Sequence, residues 1–533
     1  MNILLAILLL PAAATLLLFL VPATNGKLVK GIAFVTTLVV LVLAIVLALG
    51  FTSAPSDPEN TVGAHAYKHV LSVPWVPSIG LQFKLGVDGM GVAMVLLTAL
   101  TIFTGVCVSM GVKDRPKEFF LNLLALVTGV FGVFTSLDLF FYYFFYELAV
   151  IPMFLLIGCW GSTTKTMSRD YASMKLVLML TTGAVFALLG LLAMYMRVEP
   201  RTFDMVALER FARTTGFDRS FQMVWFPPIF LGFAALVPMW PLHSWSPGGH
   251  AAAPAAVSML HAGVLMKLGA YGILRVAVTY MPDAATVYLP WVGALACFNI
   301  IYGGLVATAQ KDMKFVVGYS SSSHMGYVLL GIATTNLIGM EGAVFLMFAH
   351  GVMTALAFSL IGFYYEQTHT RMLDDLGGMM KRMPFVGTLF MIMTMASAGL
   401  PGFANFVSEL LVIVGAWHQK MFIPAILATW GIVVTGVYLL RTMKTAFLGK
   451  MPARWDGLVD AKTPFQKMPF VLLATVLLVF GFWPKPLLTL IEQGVTPIVE
   501  SLAAARARAD GTALGRAELP PAPASGTPER SNK

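Results

Sequence analysis

Residues 138–161 read DLFFYYFFYELAVIPMFLLIGCWG. Between Asp138 and Gly161 the one charged residue is Glu147, and nearly everything around it is apolar or aromatic. A helix needs about 20 predominantly apolar residues to cross the hydrocarbon core of a bilayer, and this stretch supplies them. Working outward, runs of the same kind recur near 3–21, 31–52, 88–111, 118–136, 175–196, 226–245, 250–278, 285–309, 315–335, 341–366, 384–417, 421–446 and 467–492, fourteen segments in all. Strands of an outer-membrane barrel alternate over about 10 residues, and these runs do not. The chain reads as an all-α polytopic membrane protein with about fourteen transmembrane helices.

Composition agrees. Of 533 residues, 58% are hydrophobic and 11% charged, against about 25% charged in soluble domains. A soluble enzyme, a disordered chain and a nucleic-acid binder are excluded on that ground. The formal charge of +9 reports orientation, because Lys and Arg accumulate in cytoplasmic loops. With the N-terminus outside, the inner loops hold Lys27, Lys30, Lys113, Arg115, Lys165, Arg169, Lys311, Lys314, Arg371, Lys381 and Arg441, and the short outer loops little beyond Arg275 and Lys420. Both termini are therefore placed on the periplasmic side. No basic residue precedes the first apolar run, so it reads as an uncleaved span. A strand-like SIGLQFKLGVDG precedes the third segment, a long amphipathic connection covers 197–224, and the Ala-, Pro- and charge-rich tail from 504 reads as disordered.

Two segments are interrupted, the seventh by LVPMWPLHSW (Pro238, Pro241) and the twelfth by SAGLPGFANF (Gly399, Pro401, Gly402). Proline removes a helix hydrogen bond, and broken helices persist in membranes where the freed backbone lines a cavity or meets protein. The breaks are five segments apart, as two tandem five-helix units would give, and transporters place their sites at such breaks.

Three charges sit deep within spans: Glu147, Lys267 and Glu409. Each costs about 2.5–3.5 kcal/mol at the bilayer centre on insertion scales. One reading is an ion pathway, in which buried carboxyl and amine groups exchange protons. The other is polar contact between helices. Three such residues in a chain with no other cargo signature favour the pathway. Five histidines lie in or near spans: His243, His250, His261, His324 and His350. Imidazole passes a proton from one nitrogen to the other, and His324 with His350 form the candidate relay between Lys267 and Glu409. His243, His250 and His261 are accessory candidates. No two of the five lie three or four apart on one helix, so no metal site is indicated. Ser320–Ser323 fit either a polar turn or helix contact through small residues. Cys107, Cys159 and Cys297 show no cluster or disulfide spacing. No dinucleotide fingerprint or phosphate loop is present, so the chain carries no cofactor of its own.

At DLFFYYFFYELAVIPMFLLIGCWG (138–161), PMWPLHSW (238–245), SMLHAGVLMKLGAYGILR (258–275), DMKFVVGYSSSSHMGYVLLGI (312–332), AHGVMTALAF (349–358) and LPGFANFVSELLVIVGAW (400–417), the chain resembles the M-type antiporter-like subunits of bacterial respiratory complex I, the proton-pumping NADH:quinone oxidoreductase, which are related to Mrp antiporters. The resemblance covers roughly residues 70–490. It implies a fourteen-helix fold with two inverted five-helix repeats, divided as an N-terminal unit 1–112, repeats at 113–280 and 281–446, a loop and last helix at 447–503, and a tail at 504–533. It implies that Glu147 tunes a nearby lysine, that Lys267 is the central lysine, that His324 and His350 follow it, and that Glu409 is the exit acid. FMN, iron–sulfur clusters and quinone are then expected in partner subunits, with L-type and N-type antiporter-like neighbours in the bacterial cytoplasmic membrane.

The chain departs from that family where a lysine usually precedes VPMWP. Leu236 stands there, and WSPGGH (245–250) lacks an acid often found in this stretch. Glu147 thus lacks its expected partner. A water chain, Lys267, His243 or His261 compensates, or coupling differs, as in a divergent or second M-like copy. His261 precedes Lys267 by six residues, about 600° of helix rotation, which is not the same face. The alternative functions are a subunit of a multi-subunit cation/proton antiporter without a redox partner, and a scaffold that has lost transport. Retention of the five central residues speaks against the scaffold.

Overall fold

With no water in the bilayer core, each backbone N–H and C=O must be satisfied within its own segment, so the apolar runs fold as helices. The computed structural model describes residues 2–163 and 167–511. The first helices are α1 (Ile3–Leu20), α2 (Gly26–Gly50), α3 (Gly89–Val108), α4 (Pro116–Thr135), α5 (Leu139–Trp160) and α6 (Arg169–Arg197). Then come α7 (Met205–Thr214), α8 (Arg219–Leu236), α9 (Ser246–Ala252) and α10 (Ala255–Val278). The second half holds α11 (Pro282–Ala309), α12 (Met313–Ala333), α13 (Leu337–Thr368), α14 (Pro384–Ser397), α15 (Ala404–His418), α16 (Phe422–Phe447), α17 (Pro464–Phe482) and α18 (Lys485–Ala509). One apolar core runs through the bundle from Leu4 to Leu502.

Among the described residues, eleven helices are long and apolar enough to cross a membrane. The other three of the fourteen expected segments fall short for visible reasons. The seventh and twelfth are broken, into α8 and α9 and into α14 and α15, and α12 carries Ser320–Ser323 and His324. Aspartates mark the helix starts. Asp88, Asp138, Asp204, Asp218 and Asp312 each accept a backbone N–H of the first turn, which satisfies donors that the helix itself leaves orphaned.

Strands β1 (Thr61–Val62) and β2 (His65–Ala66) pair with each other, and β3 (Lys68–Val76) pairs antiparallel with β4 (Leu81–Val87). The strand-like reading of the stretch before α3 therefore holds. The hairpin, α7 and α18 share one face of the bundle. The carbonyl of Leu490 in α18 packs on Gly89, and Gly494 packs on Asp88 and Met90.

The C-terminal boundary is corrected. The fourteenth segment stops at Phe482, and a second helix, α18, runs on to Ala509, past the expected start of a disordered tail at 504. The stretch SLAAARARA that composition reads as low complexity is built of Ala, Leu and Arg, among the best helix formers. Arg508 pairs with Asp283 at 2.9 Å, and Arg506 donates to Thr335, so the last turn is pinned to the hairpin face. Residues 512–533 and Lys165 lie outside the described residues.

A buried ionic clasp holds this face together. His65 Nδ1 meets Glu209 at 2.9 Å and Nε2 meets Asp88 at 3.1 Å. Both nitrogens face carboxylates, so each carries a proton. Arg275 pairs with Asp88 at 2.6 Å and Arg213 with Glu209 at 2.8 Å, and the Tyr67 hydroxyl donates to Glu209 at 3.0 Å. His65, Asp88, Glu209 and Arg275 are all buried. Arg275, placed in a loop by the sequence reading, is thus inside the end of α10. The clasp ties β2, α3, α7 and α10 to one another.

Burial pulls the His65 pKa down, but the Glu209 and Asp88 carboxylates outweigh it and hold it above the ordinary 6.5. Burial pushes Asp88 and Glu209 up, but Arg275 and His65 at Asp88, and His65 and Arg213 at Glu209, hold them below 3.8 and 4.5. The imidazolium contribution is present below pH 6.5 and is lost as pH rises through the raised pKa. The carboxylate contribution is present above 3.8 and 4.5 and is lost as pH falls through the depressed values. Thermal denaturation in detergent should therefore show its highest midpoint between those windows. Arg275→Met, which strips Asp88 of its cation, should cost about 3–5 kcal/mol, and an unchanged midpoint would rule out the clasp as a source of stability.

Candidate functional site

The site is built on α10. Two π-helical segments, His261–Leu265 and Ile273–Val278, flank an α-helical stretch Met266–Gly272 that carries Lys267. Such widened turns release carbonyls from the helix ladder and recur at functional sites. The Lys267 amine donates to the carbonyl of Ala262, five residues back on its own helix. Its second partner is His350 Nδ1 of α13, at 2.8 Å. Both residues are fully buried.

His350 lies beside His324 of α12, with ring centroids 5.0 Å apart and planes inclined by 28°. His324 Nδ1 meets the Ser320 carbonyl at 2.8 Å. Its Nε2 meets the Ser397 carbonyl at 3.2 Å and Glu409 Oε1 at 3.4 Å. Both ring nitrogens thus face oxygen acceptors, so the ring has a place for two N–H bonds. Glu409 sits in α15, just past the break in the twelfth segment. Gly399 in that break has φ +66°, and a β-carbon there would stand 2.6 Å from Glu409 Oε2. The position needs glycine for its conformation and for room beside the carboxylate. Around the same break, Thr394 Oγ1, Ser397 Oγ and the Asn405 amide are buried without a protein partner. Unpaired buried polar groups cost roughly 1–3 kcal/mol each, so the break carries a polar lining beside the Glu409 carboxylate.

The structure therefore brings together four of the five central residues expected from sequence, in the order Lys267, His350, His324, Glu409. The accessory histidines divide. His250 and His261 stack with centroids 4.0 Å apart, and His261 also lies on Trp245 at 5.2 Å. His250 Nε2 meets Ser246 Oγ at 3.1 Å, while His250 Nδ1 and both His261 nitrogens are buried without a protein partner. Among the described residues no hydrogen bond joins His261 to Lys267, as the helical offset requires. His243 lies apart, its ring edge-on to Tyr302 at 5.1 Å. Ser321, Ser322 and Ser323 donate to the carbonyls of Val317, Pro238 and Ile300, and Ser320 accepts from Tyr438 at 2.6 Å. The last three bonds link α12 to other parts of the bundle.

Glu147 stands outside this chain. It is half-buried on α5, beside Tyr143. It falls on the same helical stripe as Phe140, Phe144, Ile151 and Leu155, which are exposed at the edge of the bundle. Leu236 is fully buried at the end of α8. There α8 packs closely on α10, where a β-carbon at Gly269 would meet the Phe233 carbonyl at 2.5 Å.

Two basic residues assigned to loops are also interior. Lys314 in the first turn of α12 is buried, and its amine donates to the Ala253 carbonyl and to Ser258 Oγ, the latter at 3.2 Å. Arg371 is buried and donates to the Ala251 carbonyl at 2.7 Å while pairing with Asp312 at 3.2 Å. In sequence the one signal was the position of Lys314 two residues after an aspartate cap, which places it on the helix and not in the preceding loop.

With this geometry in place, comparison with known proteins is informative. Residues 136–435 match the family described as NADH:quinone oxidoreductase/Mrp antiporter, transmembrane. The chain belongs to that family. It is 34% identical over 529 residues to NAD(P)H-quinone oxidoreductase chain 4 of Gloeobacter violaceus, covering 98% of this chain and 95% of that one. It is 34% identical over 514 residues to NADH-quinone oxidoreductase subunit M of Rhodobacter capsulatus, covering 94% and 97%. Among solved structures, a chain of respiratory complex I from Thermus thermophilus matches with a TM-score of 0.81 at 27% identity, over 94% of this chain and 99% of that one. Family membership and the helical bundle together make this a multi-pass membrane protein.

The closed packing around Leu236 yields a prediction. Leu236→Lys buries an ammonium among apolar groups, at a cost of several kcal/mol, and should sharply lower the yield of folded protein. Leu236→Met preserves volume and should accumulate normally. Wild-type accumulation of Leu236→Lys would show that water reaches this position.

Proposed function

We propose that the chain is an M-type, proton-translocating membrane subunit of an NADH:quinone oxidoreductase, and that Lys267, His350, His324 and Glu409 carry the proton. The observation that carries this reading is the 2.8 Å contact of Lys267 Nζ with His350 Nδ1, inside a buried line of groups that ends on a carboxylate beside a broken helix.

The chemistry follows from the geometry. A proton held on the Lys267 amine passes along its hydrogen bond to His350 Nδ1. His324 gives its Nε2 proton to Glu409, and His350 releases the proton on its other nitrogen, Nε2, to the His324 nitrogen thereby vacated. Glu409 accepts it beside the polar lining of Thr394, Ser397 and Asn405 and releases it to the hairpin face, which we place on the periplasmic side with both termini. Each group in this line is buried, so an uncompensated charge costs several kcal/mol. The line therefore works with one excess proton, and the position of that proton is set by small field changes. A unit charge brought to roughly 8 Å is worth about 2 kcal/mol at an effective dielectric constant near 20. That exceeds the about 1.4 kcal/mol of a tenfold change in protonation. Quinone reduction in partner subunits supplies such a change, relayed through neighbouring L-type and N-type subunits of the cytoplasmic membrane. FMN, iron–sulfur clusters and quinone belong to those partners.

The second reading is a subunit of a multi-subunit cation/proton antiporter, which the family description also covers. Co-purification from mild detergent separates the two. Flavin and iron–sulfur subunits with NADH:quinone activity support the first reading, and small membrane subunits without redox activity support the second.

Within the first reading, Lys267→Ala should sharply lower the protons moved per NADH, measured in proteoliposomes with the rate of NADH oxidation as reference. An unchanged yield would end the central role of Lys267. Glu409→Gln, which cannot ionise, should impair pumping more than Glu409→Asp. Equal, wild-type yields in both would remove the exit role of Glu409.

A further inference from the structure

The proton line described above begins at Lys267, in the middle of the bundle, and leaves open how a proton reaches it from the face opposite the hairpin. On that face a cavity of about 390 Å³ is lined by Thr163, Lys311, Asp312, His369, Arg371 and Asp375. Its floor is the Asp312–Arg371 pair, whose side chains are 13% and 5% exposed. Directly inward, α9 ends at Ala252, and two of its terminal carbonyls are met by buried cations. Arg371 takes that of Ala251 and Lys314 that of Ala253.

The two cations are not alike. Arg371 has its carboxylate, Asp312. The Lys314 amine meets two neutral oxygens, the Ala253 carbonyl and Ser258 Oγ, and no carboxylate within 4 Å among the described residues. A cation at a helix C-terminus gains about 0.3–1 kcal/mol, up to about 2 kcal/mol when partly buried. Taking an unpaired ammonium out of water costs several kcal/mol. The cap alone does not account for this amine.

What lies beyond Lys314 accounts for it better. Ser258, which accepts from Lys314, donates to the His250 carbonyl at 3.0 Å. His250 thus lies one residue beyond Lys314, through Ser258, and its ring partner His261 shares α10 with Lys267. His250 stacks on His261, and three of their four ring nitrogens are buried without a protein partner. Imidazole nitrogens placed between two buried amines are what a proton needs to pass from one to the other. Lys314 sits ten residues before His324 on α12, about 15 Å nearer the opposite face. The sequence of groups then runs from the surface cavity to the centre: Asp312, Lys314, the His250–His261 pair, Lys267.

We propose that Lys314 is a second proton-carrying amine, which takes protons from the cavity over Asp312 and Arg371 and passes them through His250 and His261 to Lys267. The proposal rests on the proton-pumping reading of Lys267, and its test keeps the two apart. Lys314→Met, Lys314→Arg and Lys267→Ala are made in the assembled oxidoreductase, and each is assayed for assembly, NADH:quinone turnover and protons moved per NADH in proteoliposomes. Arginine keeps the charge that caps α9 but does not give up its proton. Both Lys314 variants are expected to assemble and to lower the proton yield to the level of Lys267→Ala. A wild-type yield in Lys314→Arg or in Lys314→Met assigns Lys314 to the helix cap and overturns the proposal. Should the methionine variant fail to assemble, the arginine variant decides, and failure of both to assemble also makes Lys314 a structural cap. A wild-type yield in Lys267→Ala sinks the parent reading. A lowered yield there with normal Lys314 variants sinks this one alone.

Discussion

The structure is organised around one costly contact, a lysine amine held against a histidine nitrogen in the centre of a membrane bundle. Lys267 is fully buried and meets His350 at 2.8 Å, with a backbone carbonyl of its own helix as the second acceptor. Such an amine destabilises an apolar helix pair by itself. It is held there because α10 departs from regular helix on both sides of it, which frees a carbonyl, and because α13 offers an imidazole at the right height. The broken segments obey the same logic. Irregular backbone within a membrane protein persists where it lines something polar, and the break at Gly399 lines the Glu409 carboxylate. The break between α8 and α10 leaves the carbonyls of Ala251 and Ala253, and both are met by buried cations.

The two faces of the bundle are built differently. The hairpin face is closed by a clasp in which two carboxylates, an imidazole and two guanidinium groups meet one another, with Arg213 Nε left without a protein partner. Such a network fixes geometry. The opposite face carries a polar cavity, and below it an amine without a carboxylate and imidazoles without partners. Unsatisfied polar groups are kept at a cost, and His250, His261, His350 and the Thr394, Ser397 and Asn405 lining of the twelfth-segment break are among them. The clasp ties the hairpin face together, and the polar lining of the break beside Glu409 is buried apart from it.

Much of this was legible in the sequence, and what was missed has a common cause. Hydropathy locates a residue along the membrane normal, so the spans, both breaks and the depth of Glu147, Lys267 and Glu409 are readable from the sequence pattern alone. It does not say whether a residue near a span end faces water or protein. Lys314 and Arg371 read as loop cations, and both are buried against the end of α9. Arg275 read as a loop residue for the same reason. Apart from the i,i+4 pair Glu209–Arg213, the clasp joins residues separated by 23 to 210 positions, and no local pattern links those. The end of α18 was missed through composition: alanine and arginine were counted as marks of disorder, although both favour helix. The set Lys267, His324, His350 and Glu409 was expected from resemblance, and the contact distances supply the order, with His350 beside Lys267 and His324 beside Glu409.

Leu236 changes how the remaining acid must be understood. A glutamate at the half-buried edge of α5, without a lysine on α8, has Tyr143 as its neighbour and an apolar stripe around it. Tyr143 is its polar neighbour on α5, and the position where a lysine would face it holds the buried Leu236. Replacement of the internal lysine by Leu236 leaves Glu147 at the half-buried edge of the bundle and outside the buried line of Lys267, His350, His324 and Glu409. The line from Lys267 to Glu409 lies within this one bundle, and its contacts do not pass through that edge.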